Sequence, residues 1–264
     1  ADIVLYFGES NPAGFIQVVQ DAVNDTVNNP TVLSISWGMS ESAWNQSEIT
    51  AFHDVLNDAQ AKGITVISSA GDIGSSNAYT FNGPANVNYP ASDPYVLGCG
   101  GTMIQTSNGK ITNEVVWNQS MFEATGGGIS ANFAVPSWQS NVNMIGSANV
   151  PHKKGRGVPD ISANAVNYFI VLDGKNNSES GTSAVVPLWA GLITLFNQSL
   201  GKKVGHLNPT LYEIVASKGE AVLKPTTQGN NGAYTAGVPW NPCTGLGSPN
   251  GAALLEALKT YFDC

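Results

Sequence analysis

The chain predicts an α/β fold with a mostly parallel central sheet covered by helices on both faces, and three observations lead there. Apolar runs alternate with amphipathic stretches in the order strand, helix, strand, helix, strand from Ile3 to Ser68. The runs Val32-Leu33-Ser34-Ile35-Ser36-Trp37 and Ile64-Thr65-Val66-Ile67-Ser68 are rich in β-branched residues, as strands buried on both faces are. At 264 residues, with no internal repeat and no interdomain linker, residues 1–264 read as one large domain.

Ile3 to Phe7 is an apolar run without a preceding turn, so the chain is expected to open in a buried strand. A domain that starts inside its own core is expected to lack its N-terminal portion. Asn11-Pro12 signals a helix start, with Phe15, Ile16, Val18, Val19 and Val23 following at helical spacing. A second helix over about 47–62 places Ile49, Phe52, Leu56 and Ala59 on one face, and Gly63 ends it. Residues 75–94 form a long polar loop, and Tyr95 to Cys99 restores the sheet. Tyr168 to Lys175 predicts a hairpin turning at Asp173-Gly174. The apolar run Ala184 to Phe196 predicts a long core helix, Asn208-Pro209 opens a short one, and Ala252 to Phe262 closes the chain as an amphipathic helix.

Composition narrows the function. Charged residues are only 11% of the chain, and the balance of 19 acidic against 11 basic residues gives a net charge of -8. Beyond Lys153, Lys154 and Arg156 the basic residues form no stripe, which argues against nucleic-acid and anionic-membrane partners. Few ionisable groups also mean little self-repulsion as carboxylates protonate, the profile of an acid-tolerant, secreted protein. Ala184 to Phe196 is shorter than a membrane span requires. Cys99, Cys243 and Cys264 allow at most one disulfide and have no metal-type spacing. Five Asn-x-Ser/Thr sequons, beginning with Asn24 and Asn45, decide nothing in so Asn-rich a chain.

The strongest nucleophile candidate is Ser183, in Ser180-Gly181-Thr182-Ser183-Ala184-Val185-Val186-Pro187. A small-residue turn opening onto a helix holds a hydroxyl where unpaired amides favour developing negative charge. The same residues would also make an ordinary N-cap. Pro187 shifts the balance, because it lacks the amide that would bond to the carbonyl of Ser183. Ser36-Trp37-Gly38 and Ser69-Ala70-Gly71-Asp72-Ile73-Gly74 close two adjacent strands, where ligands of parallel sheets belong. Asp72 reads equally as a Gly-Asp turn. Gly126-Gly127-Gly128 is either a flat strand able to pair with an extended peptide or a loop with unusual dihedrals.

Taken in order, Ser-Trp-Gly, Gly-Asp-x-Gly, Thr-Gly-Gly-Gly, Pro-Asp-Ile and Ser-Gly-Thr-Ser-x-x-x-Pro resemble the sedolisin family, the serine-carboxyl peptidases with a subtilisin-like three-layer fold. The likeness runs through Asp93-Pro94-Tyr95 and Asn208-Pro209-Thr210-Leu211-Tyr212 to Pro242-Cys243-Thr244-Gly245. It implies an acid-acting endopeptidase acting on peptides or proteins, with Ser183 as nucleophile and a protonated Asp72 donating to the oxyanion. It further implies that Ser36, Trp37, Gly38, Gly126, Gly127 and Gly128 bind substrate as an added strand. Asn88 stands where the most similar members carry an acidic residue, which removes the basis for a basic-residue preference.

Two departures stand out. The family's base is a glutamate, oriented by an aspartate four residues on, in a helix before the strand matching Ile3 to Phe7; no such pair occurs near the start of this chain. Both are expected on an upstream segment, so an N-terminal fragment of the same precursor is the expected protein partner. Glu179, Glu48, Asp54, His53, His152 and His206 are poor substitutes by position. The family's calcium site uses an Asp-Ile pair and a Gly-x-Gly-x-Asp loop; here Pro225-Thr226 and Gly237-Val238-Pro239-Trp240-Asn241 occupy those positions. No calcium is expected. The rival reading is a catalytically silent homologue that binds peptides or a protein partner through the old cleft.

Overall fold

The computed structural model describes residues 1–77 and 83–263. Its main sheet has five strands. Four run parallel in the order β1 (Val32–Ile35), β2 (Thr65–Ser69), β3 (Val96–Ser107) and β5 (Ile161–Asn164), while β4 (Lys110–Val116) pairs antiparallel with β3. The register sets Ile35 against Ser68 and Ser69 against Cys99.

Alternation along these strands builds a core on each face, as predicted. Leu33, Ile35, Val66 and Val96 pack toward helices α1 (Pro12–Asn24) and α2 (Gln46–Ala61). Ile67, Leu97 and Ile161 pack toward α3 (Thr182–Leu200), α4 (Asn208–Lys218) and α5 (Gly251–Tyr261). The caps are the sequence's own. Asn11 accepts from the Gly14 amide at 2.8 Å with Pro12 at the first helical position, and Asn45 and Glu48 form a reciprocal capping box. Asp173 and Gly174, both at positive φ, turn the hairpin of β6 (Tyr168–Leu172) and β7 (Lys175–Glu179).

Three expectations need correction. Ile3 to Phe7 joins no strand, and Ile3, Leu5 and Phe7 are exposed at 85%, 72% and 88%, because no partner strand flanks them among the described residues. The 75–94 segment is only partly a polar loop. Asn88–Tyr89 pairs with Met39–Ser40, and Val87, Tyr89, Ala91 and Asp93 are buried, since Tyr89 fills the aromatic cluster of Trp44 and Phe52. Residues 78–82 of that loop, and the third cysteine, Cys264, lie outside the described residues. Lastly, α3 is longer than its apolar run, and by length and composition alone it would suit a membrane span. Here Val185, Val186, Trp189, Ile193 and Phe196 are buried in the core, while Leu188 and Leu195 face outward.

A buried ion pair joins the layers. Asp160 Oδ2 accepts from Arg156 at 2.6 Å, from the Gly98 amide at 2.7 Å and from Asn208 at 3.0 Å, while Oδ1 accepts from Tyr212 at 3.1 Å. Arg156 also donates to the carbonyls of Val96 and Gly157. Asp160→Ala leaves a guanidinium buried without its counter-ion, which costs about 3–5 kcal/mol. Urea unfolding should show a loss of that size; a loss below about 1 kcal/mol would refute the assignment.

Two histidines respond to acid in opposite senses. A hydrogen bond to the buried carboxylate of Asp93, at 2.8 Å, raises the pKa of His53 above 6.5, with opposing burial and further help from Asp54. Its stabilisation is complete below pH 6.5 and is lost as pH rises through the raised value. Burial against Tyr95 and Trp138 lowers His206 from 6.5 to about 4, Arg156 adding to the effect and the bond to the Pro94 carbonyl opposing it. Stability therefore falls between pH 6.5 and about 4, by roughly 2 kcal/mol at pH 4.5. The variant His206→Gln should lose less melting temperature than the parent between pH 7 and pH 4.5; an equal loss would refute this.

Candidate active site

Ser183 and Ser36 are locked together. The hydroxyl of Ser183 donates to the Ser36 carbonyl at 3.0 Å, and the hydroxyl of Ser36 donates to the Ser183 carbonyl at 2.9 Å. That second bond follows from the sequence. Pro187, inside α3, has no amide to offer Ser183, so the carbonyl is free for a side chain arriving from the end of β1.

Asp72, at the turn after β2, reaches the same helix start. Its Oδ1 accepts from both the amide and the hydroxyl of Thr182, each at 2.7 Å. The other oxygen, Oδ2, lies beside Gly181, where an added Cβ would sit 3.1 Å away. With Oδ1 committed to two donors, a proton on this carboxyl belongs on Oδ2, which then becomes a donor. Two strand ends and one helix N-terminus thus bring Ser36, Asp72 and Ser183 together. Thr182, the clamp on Asp72, was legible in Gly-Thr-Ser only as a cap.

The glycine stretch packs against the Asp72 turn. Gly126, Gly127 and Gly128 are all buried. The Gly126 amide donates to the Gly71 carbonyl at 2.7 Å, and the Ala124 amide donates to the carbonyl of Asp72 itself at 3.0 Å. A Cβ at Gly126 would lie 1.9 Å from the Ala70 carbonyl oxygen, so only glycine lets this backbone brace the Asp72 turn. Gly128 is paired with Val158. Gly126 thus braces the turn that carries Asp72 from behind.

Around Ser36 the arrangement is more open. Ser36 is exposed, and Trp37 stacks on Phe15 with ring centroids 4.4 Å apart. Asn88 is buried, donating to the Ser69 carbonyl at 2.8 Å and accepting from Asn77 at 3.2 Å. A Cβ on Gly38 would stand 2.4 Å from Asn88 Nδ2, so Asn88 packs directly beneath the Ser36-Trp37-Gly38 turn.

Among the described residues, no carboxylate or imidazole hydrogen-bonds the Ser183 hydroxyl. Glu179 is exposed on β7, Glu48 is spent on its capping box, His152 bonds the Ser147 carbonyl, and His53 and His206 bond Asp93 and Pro94. Among the described residues the Ser183 hydroxyl thus meets only the Ser36 carbonyl. Cys99 and Cys243 are buried free thiols.

Known proteins resemble this chain in sequence and in fold. Residues 1–221 match the model of the subtilase family. The chain is 45% identical over 268 aligned residues to kumamolisin from Bacillus sp. (strain MN-32), covering 98% of this chain and 48% of that protein. It is 31% identical to sedolisin from Pseudomonas sp. (strain 101), over 95% of this chain and 44% of that protein, and 31% identical to human tripeptidyl-peptidase 1. The chain therefore spans about half the length of the curated relatives it matches. The structure of Pseudomonas sedolisin, a serine-carboxyl proteinase complexed with pseudo-iodotyrostatin, superposes with a TM-score of 0.85 at 30% identity, covering 96% of this chain and 71% of that one. Sphericase, at a TM-score of 0.58 and 19% identity, shares the fold. The chain belongs to the sedolisin family, within the subtilases and their subtilisin-like fold.

Proposed function

We propose that this domain is the larger part of an acid-acting serine-carboxyl endopeptidase. One observation carries the reading: Asp72, held through Thr182, stands beside the start of the helix that presents Ser183. Ser183 attacks the peptide carbonyl. Asp72, protonated on Oδ2, donates to the oxyanion that forms, so the reaction runs at pH values low enough for that carboxyl to carry its proton. An extended peptide or protein substrate lies along Ser36-Trp37-Gly38, with Asn88 underlying that turn and Gly126-Gly127-Gly128 backing the oxyanion side. The low charge of the surface suits secretion into an acidic setting.

The base belongs to an upstream segment of the same precursor in this proposal. Without one, a serine hydroxyl is a weak nucleophile. The exposed apolar side chain of Leu188, about one turn beyond Ser183 on α3, supports a further element packing beside the serine, and those of Ile3, Leu5 and Phe7 are likewise uncovered. Neither nucleic acid nor membrane enters the proposal.

The test is peptide hydrolysis near pH 4 by the full-length protein and by residues 1–264 alone. The full-length protein should cleave, Ser183→Ala should lose at least about a thousand-fold in kcat, and the shorter chain should be inactive. Asp72→Asn keeps a donor at every pH, so its residual activity should no longer require acid. Equal rates for the parent and Ser183→Ala would favour the silent, peptide-binding homologue instead.

A further inference from the structure

Away from the active site, a polar residue is buried where the family would hold a cation. Asn241 is only 3% exposed, and its side chain uses all of its hydrogen-bonding groups. Nδ2 donates to the carbonyl of Gly237 at 2.8 Å and to that of Thr226 at 3.4 Å. Oδ1 accepts from the amides of Cys243 and Thr244, at 3.0 and 2.9 Å, and from the Thr244 hydroxyl at 3.2 Å.

Two backbone carbonyls converging in a buried place need a positively polarised partner between them. A hard cation meets that need through oxygen ligands at about 2.3–2.6 Å, and carboxylates balance its charge. An amide meets it differently, with one N–H for each carbonyl and no net charge to bury. The donor set here fits the second solution. Pro225 offers no side-chain oxygen, Asn241 offers Nδ2 to the carbonyls, and no cluster of three His, Cys, Asp or Glu exists among the described residues. The hydroxyl of Thr226 is buried without a partner; the Ala236 amide bonds the Gly229 carbonyl at 3.0 Å nearby, and at residues 226 and 237 themselves the tie is the Asn241 amide.

We propose that the Asn241 amide replaces the divalent cation in this chain, fastening residues 226 and 237 by hydrogen bonds and leaving the loop independent of metal. Aspartate at the same position would put an oxygen against two carbonyl oxygens, an arrangement that holds only with a cation between them. Asn241 and a calcium ion are therefore alternatives at one point of the fold.

The fastening bears on the active site through the loop's other contacts. Trp240 donates to the Pro159 carbonyl at 2.8 Å, and Asn231 spans the carbonyls of Gly127 and Pro242 at 3.4 and 3.3 Å. A Cβ on Gly127 would lie 2.1 Å from the Pro242 oxygen. The loop that Asn241 closes thus backs the glycines that brace Asp72.

Thermal unfolding of the protein in EDTA and in millimolar CaCl2 tests the proposal, and it reads stability alone, so a silent homologue would pass it as well as an active peptidase. The parent should melt at the same temperature in both. Asn241→Asp should melt at least about 5 °C lower in EDTA and recover part of the loss in CaCl2, while Asn241→Ala should lose stability equally in both. A parent whose melting temperature rises with calcium, or that binds calcium stoichiometrically in calorimetry, overturns the proposal. So does an Asn241→Asp variant that is as stable as the parent in EDTA, or one that calcium fails to rescue. If that variant folds only when CaCl2 is present during refolding, the exchange is supported directly.

Discussion

The buried carboxylate of Asp160 is the contact on which the frame depends. It gathers an amide from β3, the guanidinium of Arg156, and side chains of Asn208 and Tyr212 on α4. A charge held this deeply is tolerable only when donors surround it, so β3, residues 156–160 and α4 are committed to one geometry. Replacing the pair by apolar residues of similar volume would hold the layers together as well, on energy alone. What the pair adds is position: it fixes where β5 begins relative to β3, and hence where the chain next turns toward the helix start at Thr182.

From that frame the site is assembled by small residues and missing atoms. Gly126 lets one backbone press on the Ala70-Gly71 carbonyls, which aims the Asp72 turn at Thr182. Pro187 withholds an amide, and the carbonyl thus freed binds Ser36. Neither device is a catalytic group. Both decide where Ser183 and Asp72 stand, and a methyl at Gly126 or an ordinary residue in place of Pro187 would alter the site without changing either side chain.

Much of this was legible in the sequence, and the exceptions have a common cause. Periodicity and caps located every principal helix and the parallel order, because those signals are local. Pro187 pointed to a loosened first turn for the same reason. The strand expected at Ile3 to Phe7 failed because an apolar run reports only that a segment wants burial, while pairing needs a neighbour elsewhere. Gly126 to Gly128 left a peptide-binding strand and an unusual loop both open, because glycine marks close approach without saying what approaches. Arg156 looked like part of a surface basic group, and its burial is set by Asp160 four residues away and by α4, far along the chain. The clamp of Thr182 on Asp72 spans 110 residues, a separation over which no local signal reports.

The resting hydroxyl of Ser183 shows what a base must overcome. Its proton is held by the Ser36 carbonyl, which can accept a hydrogen bond and cannot take the proton away. In the proposed reaction an incoming carboxylate competes for that proton, breaking one half of the reciprocal pair while the Ser36 hydroxyl stays on the Ser183 carbonyl. One neutral hydrogen bond is worth about 1 kcal/mol net. General-base assistance is worth about 10²–10⁴ in rate, or roughly 3–5 kcal/mol. The exchange therefore favours the base by a clear margin, and the surviving bond keeps the serine in place while its proton changes partners. In the proposed reaction the lock therefore costs little, since it opens for a group able to remove the proton.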